Sequence, residues 1–270
     1  MKNAWIIDQN RTLDIICLGT IPALVFPEQD NTHASFHSIP FGYTATVAIA
    51  SARTGLNTAI FARMGKDSLS ELIRQELEKE KVDITQLKES SRQLQVEDIK
   101  PDFFEKSKSL LINGTSLSTY TMLMTTYHAI KTAISTQTKV IFDLDYYPAI
   151  WGLTNPEDAE AQKKISSEVS LHYQSILPLC DLIIGTEEEL LIAGQANSIE
   201  QALHHLRSIT KAPLVMKRGN QEFWICDIFM SGFLRRLLCG EPLASCVNSV
   251  NGAIALTQDS SGAIPPEFRQ

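Results

Sequence analysis

Short apolar runs recur along this chain, and each is followed by a segment with helical periodicity. Leu13–Leu18, Thr58–Arg63, Ser109–Asn113, Lys139–Asp143, Asp181–Ile184 and Pro213–Lys217 read as strands. Ala45–Thr54, Ser68–Lys81, Tyr120–Thr136, Glu168–Leu177, Glu187–Ala193 and Ser198–Ile209 read as helices that alternate with them. Phe229–Cys239 and Leu243–Leu256 add two more helices at the end. A strand without a polar face must be covered on both sides, and strands separated by helices pair in parallel through crossovers. The pattern predicts a doubly wound α/β fold with ligands at the carboxyl ends of its strands.

Composition narrows the function. With 270 residues, 44% of them hydrophobic, the chain can bury a large core, and residues 1–270 read as one α/β domain. The formal charge of −7 and the lack of a basic run speak against a nucleic-acid partner. Nucleotide binding stays open, because it needs only local amides and cations. The five cysteines, Cys17, Cys180, Cys226, Cys239 and Cys246, include no CxxC and read as reduced thiols. No signal peptide precedes the first strand and no apolar run reaches membrane-spanning length, so a cytoplasmic protein without a membrane partner is expected.

Candidate polar residues have structural alternatives. Asp227 precedes the apolar run Ile228, Phe229, Phe233, Leu234, Leu237 and Leu238, at what reads as a helix mouth. An Asp there serves as an N-cap or as a reactive carboxylate. The acidic triplet Glu187-Glu188-Glu189 suits the dipole of a helix start, and Ser118-Thr119-Tyr120 reads as a cap or a cleft lining. His33, His37, His128, His172, His204 and His205 contain no HExxH and read as surface or packing residues.

Four stretches resemble the ribokinase-like (pfkB-type) carbohydrate kinases, in particular their 5-dehydro-2-deoxygluconokinase branch of inositol catabolism. They are Phe-Asp-Leu-Asp-Tyr-Tyr-Pro-Ala-Ile-Trp-Gly-Leu (142–153), the run 174–189, Val-Met-Lys-Arg-Gly (215–219) and Phe-Met-Ser-Gly-Phe-Leu…Gly-Glu-Pro-Leu (229–243). The resemblance implies a three-layer α-β-α, mostly parallel ribokinase-like sheet, ATP and Mg²⁺ as cofactors, a sugar or sugar acid as substrate, and a homodimer as one possible assembly. It implies Asp227 as the base that takes the hydroxyl proton, and Glu189 as support for Mg²⁺ through water. Thr186, Lys217, Gly219 and Ser249 would line the nucleotide site, and Gly42 and Thr46 the sugar site. A helix-packing role for Ser249 is the alternative.

The chain also departs from that pattern. Trp224-Ile225-Cys226 replaces the Gly-Ala-Gly turn whose amides form an anion hole. Leu24 replaces a sugar-binding Asp, and Phe41, Thr46 and Tyr147 replace a Gly, an Asn and an Arg. The chain is short between Gln93 and Leu94, where family members carry lid strands, and between Lys217 and Asp227. A reduced or missing lid is expected, from a shortened gene or from segments left out of the chain as written. Two functions follow: an ATP-dependent carbohydrate kinase, or a catalytically impaired relative that binds nucleotide or sugar or is vestigial.

Overall fold

The computed structural model describes residues 7–28, 35–40, 42–154, 166–217 and 223–247, with the backbone alone for 23–28, 35–40 and 223–228. Seven strands form one parallel sheet: β1 (Leu13–Leu18), β4 (Thr58–Met64), β5 (Asp83–Glu89), β6 (Ser107–Asn113), β7 (Lys139–Asp143), β8 (Leu182–Thr186) and β9 (Leu214–Lys217). Their order is β5-β4-β1-β6-β7-β8-β9. The chain therefore winds outward from β1 to β5, returns to β6 and winds out the other way, which puts the topological switch between β1 and β6.

Alternation along the strands divides the core in two. Ile16, Leu18, Phe61, Leu110, Ile112 and Phe142 face one side. There they are covered by α3 (Pro101–Phe104), α4 (Tyr120–Ser135), α5 (Ser167–Ile176), α6 (Glu187–Ala193) and α7 (Ile199–Ile209). Ile15, Cys17, Ile60, Ala62, Leu111 and Ile184 face the other, beneath α1 (Tyr43–Arg53), α2 (Ser68–Lys79) and α8 (Phe223–Leu238). Period-two alternation between two apolar layers is what a strand without a polar face requires.

Three differences from the sequence reading concern elements. A separate antiparallel pair, β2 (Ala23–Glu28) and β3 (Ser35–Pro40), precedes α1, with Leu24 opposite Ile39. Strand β5 was not foreseen because only Leu87 of its seven residues is buried, as suits a polar edge strand. Helix α8 starts at Phe223, six residues before the expected Phe229, so Asp227 lies in its second turn and not at its mouth. The aromatic and aliphatic residues 223–226 carry the helical run upstream of the Asp, which overrides the N-cap preference of that residue type.

Candidate functional site

In a parallel sheet all strands end on the same edge, and here four neighbouring strands end in polar residues. Asn113 closes β6, Asp143 closes β7, Thr186 closes β8 and Lys217 closes β9. The register sets Asn113 beside Asp143 and Thr186 beside Lys217. Lys217 Nζ lies 2.8 Å from Oδ1 and 3.1 Å from Oδ2 of Asp143. It is also 3.8 Å from Oε2 of Glu189. Asp143 is 0% exposed and Glu189 4%. A carboxylate buried so deeply needs a compensating charge, and Lys217 supplies it.

Tyr43, at the start of α1, donates its hydroxyl to Asp143 Oδ2 at 2.8 Å. Asn113 Nδ2 donates to Asp145 Oδ2 at 2.9 Å, and Ser116 donates to Asn113 Oδ1 at 2.6 Å. Asp145 has a φ of +30°, a region that Asp tolerates better than most side chains. It remains partly exposed. Loss of hydration and the charges of Asp143 and Glu189 push its carboxyl up to about 7. Burial likewise raises Asp143, with Lys217 opposing and Glu189 adding to the rise. The edge is thus an acid-rich cluster in which one ammonium serves several carboxylates.

Thr186 and Glu189 are brought together as a capping box on α6. Thr186 Oγ1 accepts from the Glu189 amide at 3.3 Å, and Glu189 Oε2 accepts from the Thr186 amide at 2.8 Å. Glu189 Oε1 accepts from the Tyr146 amide at 3.1 Å. Glu187 and Glu188 are exposed. Gly42, the residue before α1, has a φ of +79°, and a Cβ there would meet the Pro22 ring at 2.9 Å. Thr46 Oγ1 lies 3.2 Å from the Gly42 carbonyl and 3.3 Å from that of Tyr43, so its hydroxyl is turned back onto its own helix. Of the residues singled out in the sequence, the structure joins Thr186, Glu189 and Lys217 in one cluster. Gly42 and Thr46 sit one turn around Tyr43, which reaches that cluster. Gly219, Ser249 and Phe41 lie outside the described residues, as do the side chains of Leu24 and Asp227.

The sequence reading did not single out Tyr43, Asn113, Asp143 or Asp145 as site residues. A signal was present: Asp143 and Lys217 each end an apolar strand, where a charged residue has no place in the core. Thr119 is the N-cap of α4 and accepts from the Met122 amide at 3.3 Å. Cys17, Cys180 and Cys246 are buried free thiols and Cys239 an exposed one.

Residues 10–95 match the model of the pfkB family carbohydrate kinase. The 5-dehydro-2-deoxygluconokinase of Bacillus subtilis is 21% identical over 96% of this chain and 94% of its own length. The fold agrees: a PfkB protein from Polaromonas superimposes with a TM-score of 0.73 at 18% identity, over 90% of this chain and 94% of that one. A putative ribokinase from Escherichia coli, crystallised with ATP and Mg²⁺, gives 0.71 at 14% identity over 96% of each. The seven-stranded parallel sheet with helices on both faces is the ribokinase-like α/β fold. Among the described residues, no helix is long and apolar enough to cross a membrane.

Proposed function

We propose that this protein is an ATP-dependent carbohydrate kinase that phosphorylates a hydroxyl of a sugar or sugar acid. The compound named by its relatives, 5-dehydro-2-deoxygluconate, is the first to assay. The observation that carries this reading is the cluster of Tyr43, Asp143, Glu189 and Lys217 at the carboxyl edge of a kinase-family sheet. Parallel α/β folds place their ligands at that edge. In this reading the turn at Gly42 and Thr46 faces the sugar, Thr186, Lys217, Gly219 and Ser249 border the nucleotide, and Asp227 accepts the hydroxyl proton.

No set of three or more His, Cys, Asp or Glu among the described residues could hold a metal directly. Glu189 fits an indirect role, because the Thr186 and Tyr146 amides orient its two carboxylate oxygens at the edge where the strands end. Mg²⁺ arriving with ATP would neutralise charge on the transferring phosphoryl group. Glu189 would orient water around it, and Lys217 would hold Asp143 and Glu189 in place.

A second reading has its own support. The free amides of α8 belong to the first-turn residues 223–226, which include Trp224 and Ile225, and Asp227 follows them. Such a start is a poor anion hole, and it favours an impaired relative that binds without turnover. ADP release coupled to a panel of sugars and sugar acids, with ATP and Mg²⁺, separates the two. Sugar-dependent turnover supports the kinase; calorimetric binding of ATP or sugar without turnover supports the impaired relative.

A further inference from the structure

We propose that Tyr43 is a positioning residue that couples the two sides of this site, so that sugar and nucleotide each bind more tightly when the other is present. The inference rests on the kinase reading above and adds how its two ligands are linked. The sheet divides at its topological switch. Gly42, Tyr43 and Thr46 belong to the half that winds from β1 to β5, and Asp143, Thr186, Glu189 and Lys217 to the half that winds from β6 to β9. Helix α1 packs on β1 and β4, yet its Tyr43 hydroxyl reaches Oδ2 of Asp143 at the end of β7. β6 lies between β1 and β7, and neighbouring strands are about 4.8 Å apart, so the link crosses about 10 Å of the carboxyl edge. It crosses where parallel α/β folds take their ligands.

Both ends of the link are seated in the core. Tyr43 is 8% exposed, and its helix is buried through Ala45, Val47 and Ala48. Gly42 precedes it directly, so a shift of the turn carries the phenol with it. At the far end Asp143 holds Lys217 at 2.8 and 3.1 Å, and Lys217 stands 3.8 Å from Glu189. Glu189 accepts in turn from the Thr186 and Tyr146 amides. Polar groups joined in series away from water polarise one another, and a change at one end is felt along the row. Lys217 lies unequally between its two carboxylates, and the field of an ammonium falls steeply over such distances in a shielded site. A ligand that fixes the turn at Gly42 and Thr46 thereby fixes Asp143 and the charge that borders the nucleotide. The reverse effect, equal in size, follows from thermodynamic linkage.

The test is calorimetric and needs no turnover. A non-hydrolysable ATP analogue with Mg²⁺ is titrated with and without a saturating sugar, and the sugar with and without the analogue. The sugar is the member of the assay panel that binds most tightly, with 5-dehydro-2-deoxygluconate tried first. In the parent each ligand is expected to raise the affinity of the other by about fivefold or more, by the same factor in both directions. Tyr43→Phe keeps the ring and removes the donor, and should bring that factor to within about twofold of one while both ligands still bind singly. Ile130→Val, which loosens the other core layer without touching this edge, should leave the factor unchanged. If Tyr43→Phe does not fold, Lys217→Gln decides, because it breaks the same row at its next member. Binding of both ligands to the parent without coupling, or a factor retained in the variant, overturns the proposal and leaves the kinase reading intact. Failure of either ligand to bind the folded parent overturns the kinase reading and this inference with it.

Discussion

The hydroxyl of Tyr43 donates to Oδ2 of Asp143 across 2.8 Å, tying the first turn of α1 to the end of β7. Lys217 holds the same carboxylate from β9. One buried Asp is thereby the meeting point of the turn beside Gly42 and the strand ends beside Glu189.

Tyr43→Phe tests the first of these links. The ring and its packing are kept while a donor to a buried carboxylate is lost. The expected cost is about 1–3 kcal/mol in urea unfolding at pH 7. A loss of a few tenths would mean that water replaces the hydroxyl.

Lys217→Met removes the cation and leaves Asp143 and Glu189 without their counter-charge. Breaking a buried pair from one side costs about 3–5 kcal/mol. Part of that loss should be recovered at pH 5, where the carboxylates can take up protons. A variant as stable as the parent at pH 7 would show that the ion pair is dispensable.

The pH dependence follows from Asp145. Its carboxyl is raised from the ordinary 3.8 to about 7, so between those values the folded protein binds more protons than the unfolded chain. Stability contributed by this group is fully present below pH 4, declines as pH rises toward 7 and levels off above it. Asp143 is shifted in the same direction. Denaturation midpoints at pH 5, 6, 7 and 8 should fall for the parent and fall less for Asp145→Asn. Parallel curves for the two proteins would refute the assignment.

Asp227→Asn addresses the chemistry. An amide cannot accept the hydroxyl proton, so kcat should drop by ~10²–10⁴-fold if Asp227 is the base. Because Asp227 lies inside α8 and not at its cap, the thermal midpoint should move little. Full activity in the folded variant would remove Asp227 from the mechanism.

The sheet was largely legible from the sequence because its strands are apolar on both faces. Leu13–Leu18, Lys139–Asp143 and Glu187–Ala193 have the same limits in the structure as in the letters. What escaped had a weaker pattern. β5 is a polar edge, and β2 contains Pro27, which argues against a strand. The start of α8 was misplaced because an Asp before an apolar run imitates a cap. Glu189 and Lys217 were found through motifs, but Asp143 was missed because its partners lie 74 and 100 residues away in the chain. Only the strand order β7-β8-β9 and the approach of α1 bring these groups together.

The packing of α8 against α1 bears on how this protein is made in a cell. Val47 and Ala48 of α1 share a core layer with Phe233, Leu234 and Leu237 of α8, and Arg235 donates to the carbonyl of Thr54, 181 residues earlier. At roughly 5–20 residues per second, a ribosome takes about 10–35 s to cover that interval. Throughout it, the nascent α1 presents an apolar surface whose partner has not been synthesised. Chaperone capture during translation, and aggregation of chains interrupted before α8, are the vulnerabilities built into this order of assembly.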